Sequence, residues 1–181
     1  MATSNSAPQF IGRDVAWPLT LAAATILGTL ATACMMPFVG LAVVAAATMR
    51  TPAMLVTILG AWGVNQILGF GLLGYPLEGY ALAWGVALGA ASVAAGLLAQ
   101  ALFAGSVTLP RAITVFTAAF VLDEALLCAF ALAVGGTGTF TPAIVLRLFA
   151  NDALWCGVLA MLHVFLTRAA PRWYAAAPRA A

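Results

Sequence analysis

The chain has 181 residues, of which 65% are hydrophobic and only 7% charged; its mean hydropathy is +1.10 and its formal charge +2. Soluble domains carry roughly 25% charged residues, so this composition excludes a water-facing globular surface and a separate soluble catalytic domain. All seven cations are arginines, too few and too scattered for a nucleic-acid surface.

Taken in chain order, residues 1–16 form a short polar segment with Arg13 and Asp14 next to the first apolar run. Apolar length and breakers predict six spans: Trp17 to Ala33, Phe38 to Met49, Met54 to Leu73, Leu82 to Phe103, Ala112 to Val134 and Pro142 to Thr167. They form a single transmembrane domain over residues 17–168, followed by an arginine-containing tail over 169–181. The fold class expected is an all-α six-helix membrane bundle with a short second helix. That second run is too short to cross about 30 Å of hydrocarbon at 1.5 Å per residue. Either it joins the first as a kinked hairpin at "CMMPF", or neighbouring helices shelter its ends.

Arginine placement sets the orientation. Arg13, Arg50, Arg111, Arg168, Arg172 and Arg179 flank one set of span ends, whereas "CMMPF", "GYPLEGY" and "GGTGTFTP" contain none. The positive-inside rule then puts both termini in the cytoplasm and these three loops outside, with Glu78 their only charge. The expected location is a bacterial inner membrane, with the lipid bilayer as the first partner.

Ionisable groups at membrane depth ask for a partner or a role. Asp123 and Glu124 lie in span five, and Arg147, Asn151, Asp152 and His163 in span six. Equal depth below the connecting hairpin predicts an Asp123–Arg147 pair closed by Asn151, a polar cluster with Asp152 that fixes the register of the two helices. A proton or ion path through Asp123, Glu124 and Asp152 is the alternative reading. Asn65 and Gln66 are adjacent in span three, so at least one faces the bundle interior. Gly85 and Gly89 form a GxxxG, and Ala24 and Gly28 repeat that spacing; such faces serve either the bundle or a partner helix.

The outer loops have the make-up of a small-molecule pocket, aromatic walls with a few polar groups. The candidate ligand-facing residues are Cys34, Met36, Phe38, Asn65, Tyr75, Glu78, Tyr80, Phe140 and Arg147. Cys34 is a soft donor that could ligate copper or cobalt, but the single histidine and the lack of CxxC spacing argue against a resident metal site. No hydrolase, zinc-protease or P-loop motif occurs, so the chain is not expected to be an enzyme, and ATP coupling would need another protein. A scaffold subunit of a larger membrane complex is a further alternative.

The stretches "ATACMMPFVGLAVVAAATM" and "AWGVNQILGFGLLGYPLEGYALAWG" resemble the substrate-binding S-component of energy-coupling-factor vitamin transporters, and most closely the solitary cobalamin-uptake BtuM family. The resemblance implies a six-helix binding protein that takes cobalamin, or another vitamin-like compound, from the outer side and carries it across. It implies no intrinsic cofactor, and as partner either an ATPase module touching Ala24 and Gly28 or none. The family's cobalt-ligating cysteine in outer loop three has no counterpart between Gly74 and Ala81; Cys34 is the nearest thiol.

Overall fold

The computed structural model describes residues 7–31, 36–103, 105 and 107–174, with side chains in the first helix from Val15 to Leu27. Among these residues the regular structure is all helical. The elements are α1 (Ala7–Ala31), α2 (Phe38–Thr48), α3 (Thr51–Gln66, continuing as a π-helical stretch Ile67–Leu72), α4 (Gly79–Leu102), α5 (Leu109–Val134), α6 (Pro142–Ala169) and the single turn α7 (Pro171–Tyr174). Four segments are long and apolar enough to cross a membrane: Thr51–Leu72, Gly79–Leu102, Leu109–Val134 and Pro142–Ala169. That is the make-up of a multi-pass membrane protein. The described part of α1, Val15–Leu27, and α2 are shorter apolar helices.

Several helices begin ahead of the apolar runs that mark them. α3 starts at Thr51 and α5 at Leu109, each with proline in its first turn, and α6 starts on Pro142 itself. Proline suits that place because its φ is already helical and its missing N–H would have had no partner. α1 likewise starts at Ala7, ten residues before Trp17, so part of the polar leading segment is helical.

α2 occupies the centre. Every residue from Phe38 to Ala46 is buried, and α1, α3, α4, α5 and α6 all pack on it. A helix apolar on all sides is stable only inside such a shell. Eleven residues make about 16 Å of helix, so its ends stop well short of those of the 22- to 28-residue helices around it. Backbone groups there have no water to turn to, and neighbours supply the partners. At its C-terminal end Trp17 Nε1 donates to Thr48 Oγ1 at 2.9 Å, Thr48 Oγ1 donates to Val44 O at 2.6 Å, and Gln100 Nε2 donates to Met49 O at 3.4 Å. Neighbouring helices thus shelter this end of the short run, while the hairpin expected at "CMMPF" lies partly outside the described residues.

The GxxxG of α4 is used inside the bundle. Gly85 and Gly89 are buried against α3, where Trp62 Nε1 donates to Gly85 O at 2.7 Å and the indole covers Gly89, whose added Cβ would lie 2.9 Å from it. Ala24 packs against the core as well, while the surroundings of Gly28 lie outside the described side chains. Trp62→Ala removes both the indole contact and the hydrogen bond, and should cost about 2 kcal/mol or more. Thermal unfolding in mild detergent measures this, with Trp62→Phe losing chiefly the hydrogen-bond share.

Candidate functional site

Two regions carry chemistry: an aromatic end and a pair of carboxyl groups in the bundle interior. The aromatic end begins where α3 widens into its π-helical stretch, closed by Leu73 N to Leu68 O at 2.9 Å. The chain then turns through Gly74 at φ +69°, and Tyr75 N bonds back to Gly69 O at 3.0 Å. The Tyr75 ring lies over Gly69 so closely that a Cβ there would sit 2.9 Å from the ring, and it meets Phe70 edge-on at 6.5 Å. From the start of α4, Tyr80 Oη donates to Gly135 O at 3.2 Å across the bundle end. Its ring stands edge-on to Trp84 at 6.4 Å, and Trp84 to Phe130 of α5 at 5.1 Å. Gly136, at φ +106°, is held so near Tyr80 Oη that a Cβ would come within 2.9 Å. The start of α4, just after the turn over residues 74–78, therefore meets the loop over residues 135–141 at one end.

The arginine-bearing turns gather at the other end. Arg50 is exposed beside Thr51, whose Oγ1 donates to Gln100 Oε1 at 2.7 Å. Arg111 Nε donates to Leu102 O at 2.9 Å, and Tyr174 Oη lies 3.1 Å from Thr20 Oγ1, which brings the chain after Arg168 and Arg172 onto α1.

Of the residues singled out in the sequence, Tyr75, Glu78 and Tyr80 are exposed at the aromatic end. Phe140 is half-buried there. Glu78 occupies the N-cap position of α4 but makes no side-chain cap bond among the described residues. Met36 is half-buried against the core, and Phe38 is buried on α2. Asn65 is half-buried on α3. Cys34 lies outside the described residues. Trp84 and Phe130 were not among the expected ligand-facing residues. Trp84 lies near the start of the apolar run Leu82 to Phe103, and Phe130 reads as one more apolar residue of span five.

In the interior, Asp152 of α6 and Asp123 of α5 are 6% and 8% exposed. Asp152 Oδ1 accepts from Gly40 N at 2.8 Å, and the Val39 amide bonds to the same side chain. These are first-turn amides of α2, whose own N-cap, Pro37, has no side chain to offer them. A carboxyl group from another helix thus caps α2, where the positive end of the helix dipole favours an acid. Gly40 permits it: an added Cβ would lie 2.7 Å from Asp152 O and 3.1 Å from Cys156 N.

The Asp123–Arg147 pair expected from equal depth is not formed. Arg147 is exposed, and among the described residues Asp123 Oδ1 is buried with no hydrogen-bond partner. Depth fixes height but not facing. With Asp152 turned to α2, Arg147 five positions earlier points about 140° away round α6. Asp123 and Asp152 do come together, close enough with Glu124 for their charges to act on one another. His163 is remote from them, its ring 4.5 Å from that of Trp17 near the arginine end. Among the described residues no group of three His, Cys, Asp or Glu side chains could hold a metal ion. An open groove along α6 beside Met161, Phe165 and Arg168 lies away from the aromatic end.

No family model, curated protein or solved structure matches the chain.

Proposed function

We propose that this is a substrate-binding uptake protein of a bacterial inner membrane, which captures a vitamin-like small molecule at its aromatic end and moves it across the bilayer. The observation that carries the reading is the junction of the start of α4 with the arginine-free loop after α5, through Tyr80 and Gly135 beside the Trp84 and Phe130 rings. Glycine-rich, ring-lined backbone of this kind gives a flat apolar ligand faces to stack on and carbonyls to bond, and Glu78 adds one exposed charge beside it. The arginine-bearing turns at the opposite end support a cytoplasmic placement for that end, which turns the aromatic end outward. Cobalamin or a related corrinoid is the first ligand to test, on the resemblance of the first four spans. An ATPase module, if one is used, would dock on the cytoplasmic side; a solitary mode of action fits the same geometry.

Purified protein at a cobalamin concentration 100-fold above Kd should gain about 2.7 kcal/mol of stability, read as a rise in unfolding temperature. Tyr80→Ala and Glu78→Ala should each weaken binding about tenfold, roughly 1.4 kcal/mol, and leave the helical content unchanged. Unaltered affinity in both variants would remove the aromatic end as the capture site.

A further inference from the structure

Capture at the aromatic end leaves Asp123 without a role and gives Asp152 none beyond capping α2. Asp152 accepts from the Gly40 amide through Oδ1, and the Val39 amide also bonds to its side chain. Asp123 is 8% exposed, and among the described residues its Oδ1 has no hydrogen-bond partner. The charges that act on it are those of Asp152 and Glu124, both acids. Cys156, one turn beyond Asp152 on α6, is a further titratable group near enough to feel the Asp152 charge. The described side chains of α1, α2, α3 and α4 include no Asp, Glu, Lys, Arg or His, and Arg147 of α6 is exposed. Two acids enclosed this way reach neutrality only by taking up something positive.

The donor set decides what that is. A hard metal cation asks for six or more oxygens, and two carboxyl groups, one already committed to α2, fall short. No three-residue ligand group is present among the described residues. A proton needs only one oxygen to bind and a second to accept.

We propose that Asp123 and Asp152 together form a proton-binding site in the interior of the bundle, holding one exchangeable proton while the α2 amides fix Asp152 in place. On release the carboxyl O–H bond breaks, its electron pair stays on the oxygen and a water molecule takes the proton; uptake is the reverse. The site does not depend on the identity of the captured ligand.

Dicyclohexylcarbodiimide tests it in the intact protein held in lipid nanodiscs, with no substrate present. The reagent modifies protonated carboxyl groups in apolar surroundings: the acid oxygen adds to the carbodiimide carbon and the acid proton passes to its nitrogen. Mass analysis should find one adduct per chain, on Asp123 or Asp152, and alkaline buffer should abolish it. The infrared carbonyl band of a protonated carboxyl should vanish over the same pH range. Asp123→Asn, nearly isosteric, should cut labelling at least tenfold and remove the band, because the remaining Asp152 keeps its amide donors and loses one of its two acidic neighbours, Glu124 being the other. Glu124→Gln should label like the original chain. The proposal fails if the original chain gives neither adduct nor band, if Asp123→Asn keeps both, if the adduct falls on Glu124 alone, or if sodium ions at fixed pH protect against the reagent. The first of these criteria applies even where the Asp123 variant does not fold.

Discussion

Gly40→Ala should destabilise the protein by about 3 kcal/mol, a large effect for one methyl group. The new Cβ would fall 2.7 Å from Asp152 O and 3.1 Å from Cys156 N, both backbone atoms of α6 that no rotamer change can move aside. α2 and α6 must therefore separate, which stretches the 2.8 Å bond from Gly40 N to Asp152 Oδ1 and loosens contacts on a helix buried on every side. Within a bilayer that loss is not repaired by hydrophobicity, because lipid tails are as apolar as the neighbouring helix; packing and hydrogen bonds carry the association. Gly60→Ala and Gly63→Ala are the controls. Nothing lies within 4 Å of an added Cβ at either position, so both should gain up to about 1 kcal/mol from better helix propensity. Thermal unfolding of the three variants in one detergent gives the comparison, and equal behaviour would refute the close α2–α6 approach.

Asp152→Ala is the second large effect, with an expected net loss of about 2 kcal/mol. It leaves the buried Val39 and Gly40 amides unpartnered, at about 1–3 kcal/mol each, and relieves part of the cost of enclosing an acid. Asp152→Asn separates the two contributions, since its amide oxygen still accepts from Gly40 N while the charge is gone; it should be the milder variant by about 1 kcal/mol or more. Combined with Gly40→Ala, the Asp152→Ala loss should be clearly less than additive, because both changes break the same bond. Strict additivity would mean that Asp152 does not cap α2.

Much of the bundle is legible in the sequence, because in a bilayer apolar length nearly determines where helices run. Asp123 and Asp152 stand out for the same reason: an ionisable residue in oil is conspicuous. Their partners are not legible. Similar depth below a hairpin pairs Arg147 with Asp123 in the sequence, but rotation about the helix axis cannot be recovered from depth. The capping of α2 joins Gly40 to a residue 112 positions away, and no local pattern announces such a bond. Its one trace is the glycine itself, standing near the start of an eleven-residue apolar helix with no polar N-cap. At the aromatic end the sequence marks Tyr80 as a loop residue, whereas it stands in the first turn of α4, and its bond to the Gly135 carbonyl follows from how α4 and α5 lean together.

A helix enclosed by its own chain also orders events during synthesis. α2 emerges second, yet the acid that satisfies its leading amides sits on α6, which emerges more than a hundred residues later. Until then the short segment has neither the length to lodge in lipid alone nor a partner for its exposed amides. It must wait beside the translocon or at the headgroup layer, and final assembly is gated by arrival of the last long helix. A nascent chain halted before Pro142 should therefore be open to proteases at α2 even though α3, α4 and α5 are already inserted.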